Sequence, residues 1–164
     1  MKRLSMLVML FMLALPSACV PQPDGEDMPE IGIPVESLNS QVNAFAPKGW
    51  NTFKVGDPIT LEIYVIGNEE IIFPPDFGIR TFLYRDGNWT EVVESVPVAY
   101  SHGDVILSPY RGNLFVSGTA VAFPILQNAN DLMLLRIFVS GHIYRNGKAT
   151  DEKVGAYVDV ILHP

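Results

Sequence analysis

Residues 135–162 read LRIFVSGHIYRNGKATDEKVGAYVDVIL, and their alternation decides the fold. Leu135, Ile137, Val139 and Ile143 fall on one face of an extended strand. Val154, Ala156, Val158, Val160 and Leu162 fall on one face of the next. A period of two with β-branched residues is the pattern of a half-buried strand. Asn146-Gly147 lies between the two runs, and such a pair supplies the two positive-φ residues of a tight hairpin turn. With a two-residue turn, Val139 is predicted to meet Val154, Ile137 to meet Ala156 and Leu135 to meet Val158. The apolar faces then coincide, whereas a slip of one residue would put one of them in water. A connection longer by two or four residues keeps the same parity.

Working backwards, further short strands follow. Ile59–Ile66 alternates Leu61, Ile63 and Val65 against Thr60, Glu62 and Tyr64. Glu70–Phe73 is stopped by Pro74-Pro75. Arg80–Tyr84 and Trp89–Glu94 flank Asp86-Gly87, which predicts a second hairpin with Tyr84 opposite Trp89. Val105–Leu107 and Thr119–Phe123 complete the set. After residue 35 no stretch carries a helical period, and no helix is long enough for a crossover. The expectation is an all-β fold, an antiparallel β-sandwich of about 7–9 strands over residues 35–164.

The stretch Phe53-Lys54-Val55-Gly56-Asp57-Pro58-Ile59-Thr60-Leu61, followed by Gly67-Asn68, resembles the opening of bacterial immunoglobulin-like domains. Leu135-Arg136-Ile137-x-Val139-x-Gly141 resembles their penultimate strand. The resemblance implies an immunoglobulin-like sandwich without the cysteine pair of antibody domains. The same opening is also similar to that of a small bacterial proteinase-inhibitor domain.

The beginning of the chain reads differently. Met1-Lys2-Arg3 is basic, and Leu4–Leu15 is an apolar run of twelve residues, shorter than the ~20 that a spanning helix needs. This is the pattern of a secretory signal peptide. Pro16-Ser17-Ala18-Cys19 resembles the lipobox of bacterial lipoproteins, with Pro16 where an aliphatic residue is usual. The resemblance implies a signal peptide over 1–18, lipid on Cys19, and membrane anchoring at the extracytoplasmic face. Ordinary cleavage after Ala18 and an uncleaved anchor are the other readings. Residues 19–34, with four prolines and the acids Asp24, Glu26, Asp27 and Glu30, are expected to form a flexible tether. Pro-rich chain extends by ~3.1 Å per residue, so such a tether would hold the domain well clear of a bilayer.

Composition narrows the function. The 164 residues carry a net charge of −7, and losing Lys2 and Arg3 with the signal peptide would make it −9. That balance argues against a nucleic-acid partner held through phosphates. One cysteine excludes an internal disulfide framework and a multi-cysteine metal site. There is no Gly-x-Ser-x-Gly elbow and no HExxH or CxxC motif. His102, His142 and His163 stand apart from one another in sequence. The expectation is a non-enzymatic domain without cofactor or metal, bound to the membrane through Cys19 and recognising an unknown protein or glycan. A proteinase inhibitor and an accessory subunit of an envelope complex are the alternatives. Two surfaces are candidates for recognition. One is the outward face of the last hairpin, with Arg136, Phe138, His142, Tyr144 and Tyr157; the other reading of this face is that the N-terminal segment or a loop covers it. The second is the loop with Pro74, Pro75 and Phe77, which either displays its aromatic rings or caps the end of the sandwich.

Overall fold

A computed structural model describes residues 28–46, 51–92, 98–99, 103–109, 118–122 and 131–164. The predicted signal peptide, Cys19 and the first part of the tether lie outside them, as does His102. The described residues form two facing β-sheets, with one short 3-10 turn at Val35–Ser37.

The four-stranded sheet contains β1 (Val42–Phe45), β3 (Ile59–Val65), β9 (Gly118–Ala122) and β7 (Val98–Ala99), in that order. The second sheet is built around β10 (Met133–Arg145) and β11 (Lys148–His163). β2 (Thr52–Lys54) runs parallel to the end of β11, and the other pairings are antiparallel. The far edge of β10 is shared. Its first half, Leu134–Phe138, pairs with β5 (Arg80–Arg85), which in turn pairs with β6 (Asn88–Glu91). Its second half, His142–Tyr144, pairs with β4 (Glu70–Phe73), which continues to β8 (Val105–Leu107). The fold is thus the expected all-β, immunoglobulin-like sandwich, with eleven strands among the described residues. Three of them, β1, β2 and β7, are not predicted from the sequence. β2 and β7 are only three and two residues long. β1 alternates in burial but turns its Phe45 outward and only Val42 and Ala44 inward, which blurs the polar–apolar contrast.

The sequence pattern fills the space between the sheets as expected. Ile59, Leu61, Ile63 and Val65 from one sheet meet Leu135, Ile137, Val139, Val154, Ala156, Val160 and Leu162 from the other, all buried in one cluster. Full burial of a Leu, Ile or Val side chain contributes about 1.5–3 kcal/mol, so this inner layer is the main source of stability.

The last hairpin corrects the predicted register. Arg145 pairs with Lys148 and Tyr144 with Ala149 across the tight turn, where Asn146 and Gly147 have φ of 52° and 77°. Beyond Tyr144 the register shifts, and His142 pairs with Lys153. From there Val139 meets Ala156, Ile137 meets Val158 and Leu135 meets Val160, two residues on from the prediction. The extra residues sit in a bulge on β11, not in the turn. Thr150 stabilises it: its hydroxyl donates to the Ile143 carbonyl (3.0 Å) and accepts from the Glu152 amide (3.3 Å). His142 Nδ1 lies 2.9 Å from the Thr150 carbonyl. Because the shift is even, the inner faces still coincide.

Residues 28–34 also depart from the expectation. They are not free tether. Ile31 and Ile33 are buried, and the segment lies on the outside of the larger sheet. Two isoleucines spaced i, i+2 give this stretch an apolar edge that its prolines and acids conceal.

Candidate functional site

The outer face of the larger sheet is where recognition is expected, and its strands set side chains there in three rungs. Glu91, Phe82, Arg136 and Asp159 stand in direct register across β6, β5, β10 and β11. Arg80, Phe138 and Tyr157 form the next rung. Trp89, Tyr84, Leu134 and Ile161 form the third. Arg136 therefore meets Asp159 directly, and Phe138 meets Tyr157 directly, where the uncorrected register makes both pairs diagonal.

Arg136 is the centre of the face. It is 6% exposed, yet its guanidinium is fully engaged. Nε and Nη2 donate to the two carboxylate oxygens of Asp159, each at 2.7 Å. The ring of Tyr157 lies 4.3 Å from the guanidinium carbon and that of Trp89 lies 4.7 Å away. A planar cation between two aromatic faces, forked onto a carboxylate, is an arrangement lysine cannot reproduce. Around it Phe82 and Phe138 meet edge to face, 5.6 Å between centroids and 87° between planes. Phe138 also contacts Tyr157 at 5.6 Å, and Tyr84 contacts Trp89 at 5.0 Å as predicted.

A second cation borders the cluster. Arg80 donates to both oxygens of Glu91 at 2.7 and 2.8 Å and lies 5.0 Å over the Phe82 ring. The hydrogen bonds from Arg80 hold the Glu91 carboxyl below its ordinary value, against a smaller opposing effect of burial. At the turn end of the sheet, Arg145 forks onto Glu69 at 2.6 Å twice. Those bonds likewise lower the Glu69 carboxyl.

The face is covered by the chain itself. Every residue of β10 from Leu134 to Phe138 is buried, on both faces, and Phe138 is 1% exposed. The cover is Met28–Leu38: Ile31, Ile33 and Leu38 join Phe82 and Phe138 in a second cluster, with Met28, Trp89 and Tyr157 against it. Ile33 seats over Gly155, where a Cβ would stand 2.7 Å from Ile33 Cδ1 and 2.5 Å from the Val139 carbonyl oxygen. Arg80 Nη1 donates to the Glu30 carbonyl (3.4 Å), and Lys153 Nζ donates to the Ile31 carbonyl (3.3 Å). Main-chain attachment begins later, where the Asn39 amide donates to the Gly155 carbonyl (3.0 Å). The Asn39 side-chain oxygen accepts from the Tyr157 amide, also at 3.0 Å.

The expected binding face is thus divided. Arg136, Phe138 and Tyr157 are together but lie beneath the segment, so they are not the open surface that alternation predicts. His142 and Tyr144 are half-buried and lie further along β10, opposite β4. There His142 shares a shallow concavity with Asp104, Ser140 and Lys153. Arg80, Phe82, Trp89, Ile31 and Ile33 also belong to this face and are not predicted from the sequence. The signal for the first three is the β5–β6 hairpin, whose outward residues share a sheet with Arg136. The signal for the last two is the Ile-Gly-Ile alternation.

The loop candidate resolves as a cap. Phe77 is 2% exposed and packs against Phe73, 5.5 Å between centroids. Its ring occupies the space over Gly118, where a Cβ would come within 2.5 Å of it. The loop is pinned by bonds from the Phe77 amide to the Pro74 carbonyl (2.8 Å) and from the Ser140 amide to the Phe77 carbonyl (2.9 Å). Pro75 and Asp76 reach solvent, and the two rings do not. Among the described residues, no group of three or more His, Cys, Asp or Glu side chains could hold a metal ion.

The architecture defines an immunoglobulin-like β-sandwich whose outer face is occupied by its own N-terminal segment. No protein-family model matches the chain, and no curated protein matches it. Among solved structures it is similar to the class 5 fimbriae chaperone CfaA, at 13% identity and a TM-score of 0.40, covering 73% of this chain and 55% of that one. It is similar to Spo0M, a sporulation control protein from Bacillus subtilis, at 11% identity and a TM-score of 0.38, over 76% and 49%. The ASH/PapD-like domain 7 of human CEP192 matches at 10% identity and a TM-score of 0.35, over 90% and 93%. The chain spans about half the length of the first two. At these values the likenesses carry no statement about function.

Proposed function

We propose that this protein is a non-enzymatic binding module, exported and held at the extracytoplasmic face of a membrane by lipid on Cys19. Its partner is a protein or glycan of the cell envelope. The observation that carries the binding role is the outer face of β5, β6, β10 and β11. Arginine, carboxylate and aromatic side chains are concentrated there, outside a core that is otherwise complete without them. Arginine, tyrosine and tryptophan are the residues that most often dominate binding energy at interfaces. The anchor reading rests on the apolar run ahead of Ala18-Cys19, because two or more acyl chains hold a protein stably to a bilayer.

Two experiments test these parts separately. Mass spectrometry of the mature chain should find Cys19 as its first residue and acylated, and Cys19→Ser should release the protein from membranes. An unmodified Cys19, or a Cys19→Ser protein that stays membrane-bound, contradicts the anchor. Crosslinking in intact cells should retrieve a defined partner; a chain that captures none from any surface contradicts the binding role.

A further inference from the structure

We propose that the outer face is a peptide-binding site, occupied in this state by the chain's own residues 28–34, and that its partner presents an apolar segment of the same kind, two aliphatic residues, one on either side of a glycine bend. This rests on the reading of the domain as a binding module and names the partner class of that site. The segment Met28-Pro29-Glu30-Ile31-Gly32-Ile33-Pro34 shows what the face accepts. Two aliphatic side chains, two residues apart, enter the aromatic surface, and one of them fills the notch that Gly155 leaves open. The main chain is held through two carbonyls, each bonded to the tip of a long cationic side chain, Arg80 or Lys153. Such contacts hold a backbone that bends at Gly32, whose φ of 73° favours glycine between the two aliphatic positions.

Three features make the occupant exchangeable. Among the described residues, 28–33 form no main-chain hydrogen bond with the sheet, so the segment leaves without opening a ladder. The chain is next secured at Leu38 and Asn39, beyond the Val35–Ser37 turn, so release can stop at Pro34 with the sandwich intact. The face is also self-sufficient when uncovered. On release Arg136 loses the contact of Nη1 with Met28 Sδ (2.6 Å) but keeps Asp159, Tyr157 and Trp89. Arg80 loses the Glu30 carbonyl but keeps Glu91, and Lys153 exchanges the Ile31 carbonyl for water. A tethered occupant competes at high effective concentration, and the linker position makes the segment a built-in competitor.

The test uses the intact chain carrying Ile31→Asp and Ile33→Asp, with a synthetic peptide of the sequence MPEIGIP as probe. The expected result is saturable binding, seen as a shift of the Trp89 indole resonance. Binding to the unmodified chain should be at least tenfold weaker, and a peptide with aspartate at both isoleucine positions should not bind. Equal binding by the control peptide, or no binding to the substituted chain, overturns the inference. So does loss of its cooperative unfolding transition, since the segment would then belong to the core. A second measurement needs no variant. A glutamate-specific protease should cut after Glu30 in the unmodified chain under conditions where β10 and β11 stay intact. A cut that appears only on global unfolding overturns exchangeability. A peptide that fails while cells still yield a crosslinked partner overturns this inference and leaves the binding role standing.

Discussion

Arg136 is only 6% exposed, and its guanidinium is held by a forked carboxylate, by Met28 Sδ on Nη1 and by two aromatic rings near it. Breaking such a pair from one side costs more than the pair contributes, because the remaining charge stays desolvated. Asp159→Asn is therefore expected to lower stability by about 2 kcal/mol in urea unfolding, less than a fully buried pair since Asp159 is partly open to water. Arg136→Lys should fall near it. Thr81 is the opposite case. It is fully buried, and its hydroxyl has no hydrogen-bond partner among the described residues. Thr81→Val removes that unsatisfied group at similar volume and should stabilise by about 1 kcal/mol, read as a raised midpoint. Glu91 and Glu69 set a small acid dependence. Their carboxyls are lowered in the folded chain from an ordinary value of 4.5, first by hydrogen bonds from Arg80 and Arg145. A depressed carboxyl stabilises above its unfolded value and loses that contribution as pH falls through the folded one. Stability should thus decline below about pH 4.5. Glu91→Gln should flatten that decline by less than about 1 kcal/mol, because the Arg80–Glu91 pair is half open to solvent.

At the scale of elements, the β10–β11 hairpin shows how far alternation reaches. Parity alone selects the inner faces, and Asn146-Gly147 alone selects the turn, so both are legible in the sequence. The bulge is not, because an insertion of two residues leaves the alternation unchanged. Its one trace is Thr150, placed where its hydroxyl can serve the Ile143 carbonyl and the Glu152 amide together. Thr150→Val should cost about 1 kcal/mol and leave the turn in place, which amide chemical shifts of Arg145–Lys148 would report. The loop after β4 teaches a related lesson. Pro74-Pro75 reads as a stiff display, but stiffness does not say which way Phe77 points. That depends on Gly118, forty-one positions away in sequence, which leaves room for the ring. Gly118→Ala should push Phe77 outward and destabilise by about 1–3 kcal/mol, the usual cost of overpacking.

At the scale of the molecule, the sandwich has a core between its sheets and a second apolar cluster outside one of them. The sequence locates the first because both contributing strands alternate. The second joins Ile31 and Ile33 to Phe138 across more than a hundred residues, and a Pro-rich acidic stretch gives little sign of it. Prolines mark chain that cannot join a ladder; they do not mark chain that cannot pack. Burying two isoleucines contributes about 1.5–3 kcal/mol each, comparable with the entropy lost in fixing a few residues of backbone. The segment is thus held by a margin that a competing peptide can match.

The most direct test places a photoreactive side chain at Tyr157 in the full chain expressed in intact cells. With the segment unmodified, a crosslink within the chain to residues 28–34 is expected. With Ile31→Asp and Ile33→Asp, the crosslink should move to a partner polypeptide. An unmodified chain that gives no internal crosslink would contradict occupation of the face by residues 28–34. A released face that captures nothing, while a probe at Phe45 on the other sheet does, would contradict its role in recognition.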